Sequence, residues 1–213
     1  DLAGRAAGAK AAISGEIKLT ILAPFAGLLM GAVADFRTSH PNCQVHIDAS
    51  EDLARLEYGE AHIALRAGAK PDHPDYVVGS FRRVDFNLYA HESYVVRYGL
   101  PKDEGDFDGH QFVVPPISEG RLPFGPWIND HIRQDMIALS SRNFEVNFEA
   151  ISAGIGMGFL GDHEARAHSG LKAVLPSNKA WSVPLWLATH VDLHRTEKVQ
   201  EMIRHLKLAR NDS

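Results

Sequence analysis

The feature that most narrows the fold of this chain is a change of hydrophobic period that repeats within its first 66 residues. Glu16–Leu22 alternates, with Ile17, Leu19 and Ile21 on one side and Lys18 and Thr20 on the other. That period and its β-branched residues predict a strand. Pro24 suits the first turn of a helix. Phe25, Leu28, Leu29, Ala32, Val33 and Phe36 then recur at helical spacing to about Arg37, and His40-Pro41-Asn42 makes the turn that ends it. Gln44–Ala49 alternates again through Val45 and Ile47. Glu51–Glu57 predicts a short helix with Leu53 and Leu56 inward, stopped at Gly59, and Ala61–Arg66 predicts another strand. The order β-α-β-α-β requires a largely parallel sheet with helices on its faces.

Downstream, Ala67–Pro74 reads as a loop. Tyr76–Phe81 and Val84–His91 read as two strands separated at Arg82-Arg83, and Tyr94–Asp108 as a polar surface excursion. Short strands are expected at Phe112–Pro115, Asp135–Leu139, Ile155–Leu160, Leu171–Leu175 and Val183–Thr189. Gly120–Trp127 reads as irregular and aromatic. Helices are expected at Phe144–Ala153, with Asn143 as N-cap, at Asp162–Ala167, and at Thr196–Leu208, whose Val199, Ile203 and Leu206 share a face. Two βα sets joined near residues 80–90, with one late strand and helix, suggest two lobes, the chain crossing to the second and returning to the first.

Composition sets the limits. With 213 residues and about 150 per domain, the chain lies between one domain and two. No apolar run approaches the roughly 20 residues of a membrane span. A single Cys43 excludes a disulfide framework and a cysteine zinc site. A net charge of −5 argues against this chain itself gripping nucleic-acid phosphates. The chain opens at Asp1 rather than Met, so a fragment or processed product is expected, and the lack of a signal peptide carries little weight. Residues 1–14, rich in Ala, fit either the tail of a helical linker or a frayed terminus.

Gly154-Ile-Gly156-Met-Gly158 follows a helix and runs into a strand, the reverse of a dinucleotide fingerprint, so these glycines are read as allowing close strand packing. Nucleophile-elbow, phosphate-loop and zinc-protease motifs are absent. His190 and His194 are four apart, but His190 ends a strand pattern; His163 and His168 miss a common helical face. The twelve histidines are therefore read as surface or satisfied residues, with no metal ligand assigned, and Cys43 as an inert thiol. Leu122–Trp127 fits a pocket floor or ordinary core.

Gly15-Glu-Ile-Lys-Leu-Thr-Ile, the helix ending Phe36…His40-Pro41-Asn42-Cys43-Gln44-Val45, and Leu56-Glu-Tyr-Gly59-Glu-Ala61-His62-Ile63-Ala64-Leu65-Arg66-Ala67-Gly68 resemble the start of the effector-binding domain of LysR-type transcriptional regulators. Glu149-Ala-Ile-Ser-Ala-Gly154-Ile-Gly156-Met157-Gly158-Phe159-Leu160 and the Pro184–Val199 segment with its following helix resemble that family's later portions. The likeness runs over about residues 15–208. Two positions depart from it: His62 stands where the family usually has Asp, and Gly161 where it usually has Pro.

The resemblance implies an α/β fold of the type 2 periplasmic-binding-protein kind, with two Rossmann-like lobes about a central cleft. Lobe one would comprise 15–83 and 186–209, lobe two 84–185, and 1–14 would be the end of a linker helix. The family's N-terminal winged helix-turn-helix would be missing from this chain. A type 2 periplasmic solute-binding protein is the alternative on the same fold. An enzyme would need an acid–base set that is not found, so no catalytic residue and no cofactor are assigned. The expected protein is a cytoplasmic homodimer or homotetramer, its surface supplied by helices near 25–37 and 51–58. It would bind a small effector, touch DNA through the missing domain, and have no membrane partner.

Ligands in open α/β sheets sit beyond the carboxyl ends of strands, where helix N-termini favour anions. The candidate effector contacts are therefore Ala23, Pro24, Phe25, Ser50, Arg66 and Ala67 in lobe one, and Ile117, Asn143, Phe144 and Phe159 in lobe two. Arg66 could pair a carboxylate or form a surface ion pair. Ser50 and Asn143 could donate to an effector or cap helices, and the two phenylalanines could be core. The family often has a hydroxyl at the first strand–helix junction. Here Ala23-Pro24-Phe25 has none, implying a less polar or bulkier effector, or recognition elsewhere.

Overall fold

A computed structural model describes residues 13–49, 54–116 and 122–209. The expectations for residues 1–12, for Ser50, for the start of the 51–57 helix and for Ile117 lie outside the described residues. The chain divides into two compact units, Asp1–Phe81 with Trp186–Ser213, and Arg82–Leu185.

In chain order the strands are β1 (Gly15–Thr20), β2 (Cys43–Asp48), β3 (Ile63–Ala67), β4 (Tyr76–His91), β5 (Phe112–Val114), β6 (Ile137–Ser140), β7 (Gly158–Gly161), β8 (Leu171–Ala173) and β9 (Ser182–His190). The helices are α1 (Gly27–Ser39), α2 (Glu92–Tyr98), α3 (Gly125–His131), α4 (Phe144–Ser152), α5 (Asp162–Ala167), α6 (Val191–His194) and α7 (Glu197–Ala209).

In the first unit β1 pairs in parallel with β2 on one side and β3 on the other. β9 follows β3 in the sheet, and β4 follows β9. Ile17, Leu19 and Ile21 are buried, as their alternation predicts, but Thr20 is buried too. A central parallel strand is covered on both faces, so its polar alternate cannot reach water. α1 buries Leu29, Ala32 and Phe36, and α7 buries Val199, Met202, Ile203 and Leu206; the two helices pack together. Each of these side chains larger than Ala contributes about 1.5–3 kcal/mol on leaving water.

In the second unit β4 pairs antiparallel with β7 along Phe86–Tyr89 and with β8 along Tyr89–His91. β5 pairs in parallel with β6, and a Phe112–Met157 bridge ties β5 to the segment entering β7. Tyr89, Val113, Ala150, Ile151, Leu160 and Ala165 form a core here. The expected N-cap of α4 is present: Asn143 Oδ1 accepts from the backbone N–H of Glu145 (2.8 Å) and Val146 (3.4 Å).

Four sequence expectations change. The two strands around Arg82-Arg83 are one 16-residue strand. Arg83 causes no break because its side chain leaves the strand and donates to Ser182 Oγ (3.0 Å). The excursion from Tyr94 begins as α2, with Tyr94 fully buried and its hydroxyl bonded to His110 Nδ1 (3.0 Å). The irregular aromatic stretch leads into α3, with Phe124 and Ile128 buried. Asp135 lies in a 3₁₀ turn, Gln134–Met136, that precedes β6.

The glycines at the entry of β7 match the close-packing reading. A Cβ at Gly156 would lie 2.8 Å from the Gln111 carbonyl oxygen, and one at Gly158 would lie 2.7 Å from Val113 O and 2.5 Å from Ile151 Cδ1. At Gly79 in β4 a Cβ would meet nothing within 4 Å. Chemical denaturation should therefore show Gly158→Ala losing about 1–3 kcal/mol by overpacking, whereas Gly79→Ala should stay within about 0.5 kcal/mol of the parent. Equal effects at the two sites would contradict this account of the core.

Candidate functional site

Parallel pairing puts the first unit's described candidates at one end of the sheet. Thr20, the last residue of β1, is level with Asp48, the last of β2, and with Ala64, so β1 and β2 end together while β3 runs three residues further, through Arg66 to Ala67. The chain leaves β1 through a 3₁₀ turn, Ala23–Phe25, with Pro24 at its start and Phe25 buried beneath it. Ala23 is exposed, and Pro24 and Ala67 are half-buried. The turn leads directly into α1, which has no side-chain cap and no acidic residue in its first turn. The backbone runs on helically from the turn, with Ala26 N–H donating to Ala23 O and Leu29 N–H to Ala26 O, so the positive end of the dipole lies at the Ala23–Phe25 turn.

Arg66 is half-buried, and burial lowers the pKa of its guanidinium. Its side chain donates to the Ala54 carbonyl oxygen (3.0 Å), a neutral acceptor. Among the described residues no carboxylate forms an ion pair with it. The loop beyond is held by Trp186, whose indole Nε1 donates to Gly68 O (2.9 Å). Gly68 has φ +92°, which favours glycine. Trp186 escaped the sequence reading because nothing in its local pattern distinguishes it from a strand residue. A shallow depression of about 580 Å³ in this unit, lined by Val77, Val191, His194, Arg195 and Gln200, includes none of the candidates.

In the second unit β5 and β6 run parallel, with Val114 level with Ser140, so Pro115 and the turn before Asn143 share an edge. Asn143 is exposed, but its oxygen is committed to capping α4. Phe144 is half-buried at the first helical position. Phe159 is 9% exposed and stacked on Phe124 at 4.3 Å with rings parallel to within 1°. Trp127 and Trp181 meet it edge-on at 5.4 and 4.9 Å. Phe159 is thus core, and so is Phe124 from the aromatic stretch.

The whole arrangement matches a known family. The family model described as the LysR substrate binding domain matches residues 10–210. The chain belongs to this family. Its fold matches LysR-type regulatory domains, which are type 2 periplasmic-binding-protein-like. It resembles the CrgA regulatory domain of Neisseria meningitidis with TM-score 0.75 and 16% identity, over 92% of this chain and 98% of that one. It resembles the AmpR effector binding domain of Citrobacter freundii with TM-score 0.73 and 14% identity, over 94% and 100%. An HTH-type transcriptional regulator of Xanthomonas campestris pv. campestris (strain 8004) is 27% identical over 99 residues, 46% of this chain and 26% of that protein. The match thus spans about a quarter of that relative. Regulatory domains of the LysR family are not enzymes.

The two departures from the LysR pattern have local structural roles. His62 Nδ1 accepts the Lys18 N–H (2.9 Å), while the His62 N–H donates to Lys18 O (2.8 Å). The imidazole thus ties the entry of β3 to β1, as an Asp carboxylate could. Gly161 N–H donates to Glu164 Oε2 (3.1 Å) at the start of α5. A Pro there would lack that donor.

Burial pushes the His62 pKa below its ordinary value, with Lys198 and Lys18 adding to the effect. Burial also lowers His110, His194 and His205. The unfolded chain therefore takes up protons first, near pH 6.5. Stability is present above that pH and falls as pH drops toward the depressed folded values. Urea unfolding should show lower stability at about pH 5.5 than at about pH 7.5. His62→Asn, which keeps an acceptor for Lys18 N–H, should narrow the gap; an unchanged gap would remove His62 from the explanation.

Proposed function

We propose that this LysR effector-binding domain senses a small carboxylate and passes its occupancy to DNA-binding heads elsewhere in a cytoplasmic transcriptional regulator. The observation that carries this reading is Arg66, a guanidinium without a carboxylate partner among the described residues, at the end of β3. Register places it beside the residues leading to the uncapped start of α1. A cation and a helix N-terminus at one sheet edge both favour a bound carboxylate.

In this reading Ala23, Pro24, Phe25, Ser50, Arg66 and Ala67 receive the effector. The absence of a hydroxyl on Ala23-Pro24-Phe25 favours one with an apolar body. In the second unit Asn143 and Phe159 act through helix capping and core packing, and Ile117 and Phe144 stay as that unit's candidates. An effector that binds one arrangement more tightly shifts the population by that difference in affinity. The regulator CbnR, 16% identical over 92% of this chain at TM-score 0.62, was solved with its target DNA. By analogy, the DNA contact here belongs to the parent protein. Assembly is proposed to be dimeric or tetrameric, through α1 and the 51–58 segment. The alternative of a periplasmic solute-binding protein shares the fold but loses to the LysR family match.

A thermal-shift screen of aromatic and aliphatic carboxylates, each beside its amide, tests the ligand class. At least one acid should raise the melting temperature and its amide should not. Arg66→Gln should weaken that ligand by about tenfold or more, the loss of one charge-assisted contact. Asn143→Ala should cost about 0.5–2 kcal/mol of stability as a lost cap and leave affinity nearly unchanged. No carboxylate response, or full affinity in Arg66→Gln, would defeat the anion-pocket reading. Sedimentation showing only monomer at high concentration would count against the assembly.

A further inference from the structure

His40, Glu201 and His205 meet where the end of α1 packs on α7. His40 Nε2 lies 3.4 Å from Glu201 Oε1, and His205 Nε2 lies 3.6 Å from the same oxygen. One nitrogen or oxygen from each of the three falls within 4.8 Å of the others. Ligands at about 2.0–2.1 Å from a tetrahedral zinc ion stand roughly 3.3–3.4 Å apart. Two of the three edges are therefore close to that spacing, and only the His40–His205 edge has to shorten.

The groups are held before any ion arrives. Arg37 Nη1 donates to the carbonyls of His40 (3.3 Å), Pro41 (2.9 Å) and Cys43, fixing the turn that carries His40. Phe36 packs against both imidazoles, 4.9 Å from the His40 ring and 5.7 Å from the His205 ring. Glu201 and His205 are four apart on α7 and share a face. The three side chains are 18%, 15% and 9% exposed, so an ion would be partly shielded yet reachable from solvent. Among the described residues Arg204 competes: its Nη2 and Nε both bond Glu201 and Nη2 lies 3.3 Å from His205 Nε2, while its side chain is 53% exposed.

We propose that His40, Glu201 and His205 form a site for a divalent transition metal, zinc in the first instance, that clamps the end of α1 to α7. Two imidazoles and one carboxylate suit zinc and disfavour magnesium, which prefers oxygen ligands. Water would complete a four-coordinate ion. The site is separate from the strand-end residues proposed for the effector and does not depend on that reading.

The test uses the 213-residue chain freed of metal with a chelator and titrated with zinc, cobalt(II) or magnesium chloride. One zinc ion per chain should bind and raise the melting temperature, with reversal by chelator. Cobalt should develop the visible absorption of a four-coordinate ion, and magnesium should do neither. His40→Ala and Glu201→Gln should each weaken zinc by at least about tenfold. Arg204→Ala should bind zinc more tightly than the parent, because it removes the competing cation. That gain separates a metal site from an ion-pair cluster, which Arg204→Ala would merely loosen. His205→Ala is avoided because its side chain, 9% exposed, is the most buried of the three. Absence of one-to-one zinc binding, or zinc affinity unchanged in both His40→Ala and Glu201→Gln, would overturn the proposal.

Discussion

The parallel pairing of β1 on both sides is the constraint from which the first unit follows. A strand flanked by parallel neighbours can be linked to them only by crossovers that travel the length of the sheet. α1 makes the crossover from β1 to β2, and the segment around the Leu56–Tyr58 turn makes the next. The same pairing ends β1 and β2 level and carries β3 on to Arg66, which has no acidic partner among the described residues, near a helix start without a side-chain cap. The candidate anion site is thus a by-product of how the sheet has to be wound. It is not a motif written in consecutive residues.

Histidine carries an unusual share of the polar bonding. His91 Nδ1 accepts from Ser93 N–H at the start of α2, and His190 Nδ1 accepts from Asp192 N–H at the start of α6. His62 ties β3 to β1, and His194 bonds Thr189 Oγ1 at 2.8 Å. Each ring offers an acceptor only while neutral at that nitrogen, so at His62 and His194 the burial that lowers the pKa and the hydrogen bonding act together. Cys43, by contrast, is fully buried, and burial pushes its thiol pKa up, which agrees with an inert side chain.

Elements whose stabilisation is local were legible. α4 has a conventional Asn cap and a helical apolar period. α7 has a clear apolar face. α5 lies at Asp162–Ala167, where its residues placed it. α2 was missed because its cap is a histidine rather than Ser, Thr, Asp or Asn, and because Tyr94 looks polar in sequence but is buried against His110. β4 was split because two adjacent arginines look like a break, while the partner that accommodates one of them, Ser182, lies 99 residues away.

The sequence by itself determined the α/β class, the order of most strands and helices, and the likeness to LysR effector-binding domains. These rest on periodicity and short-range spacing, which a linear chain displays directly. Tertiary structure decided which polar groups are spent and which are left. It committed Asn143 to a cap, placed Phe159 in an aromatic core, kept Arg66 apart from acidic partners among the described residues, and gathered His40, Glu201 and His205 from positions 161 and 165 residues apart. The physical reason is that a side chain's chemistry depends on what burial and its neighbours leave unsatisfied, and those neighbours are chosen by packing rather than by sequence distance.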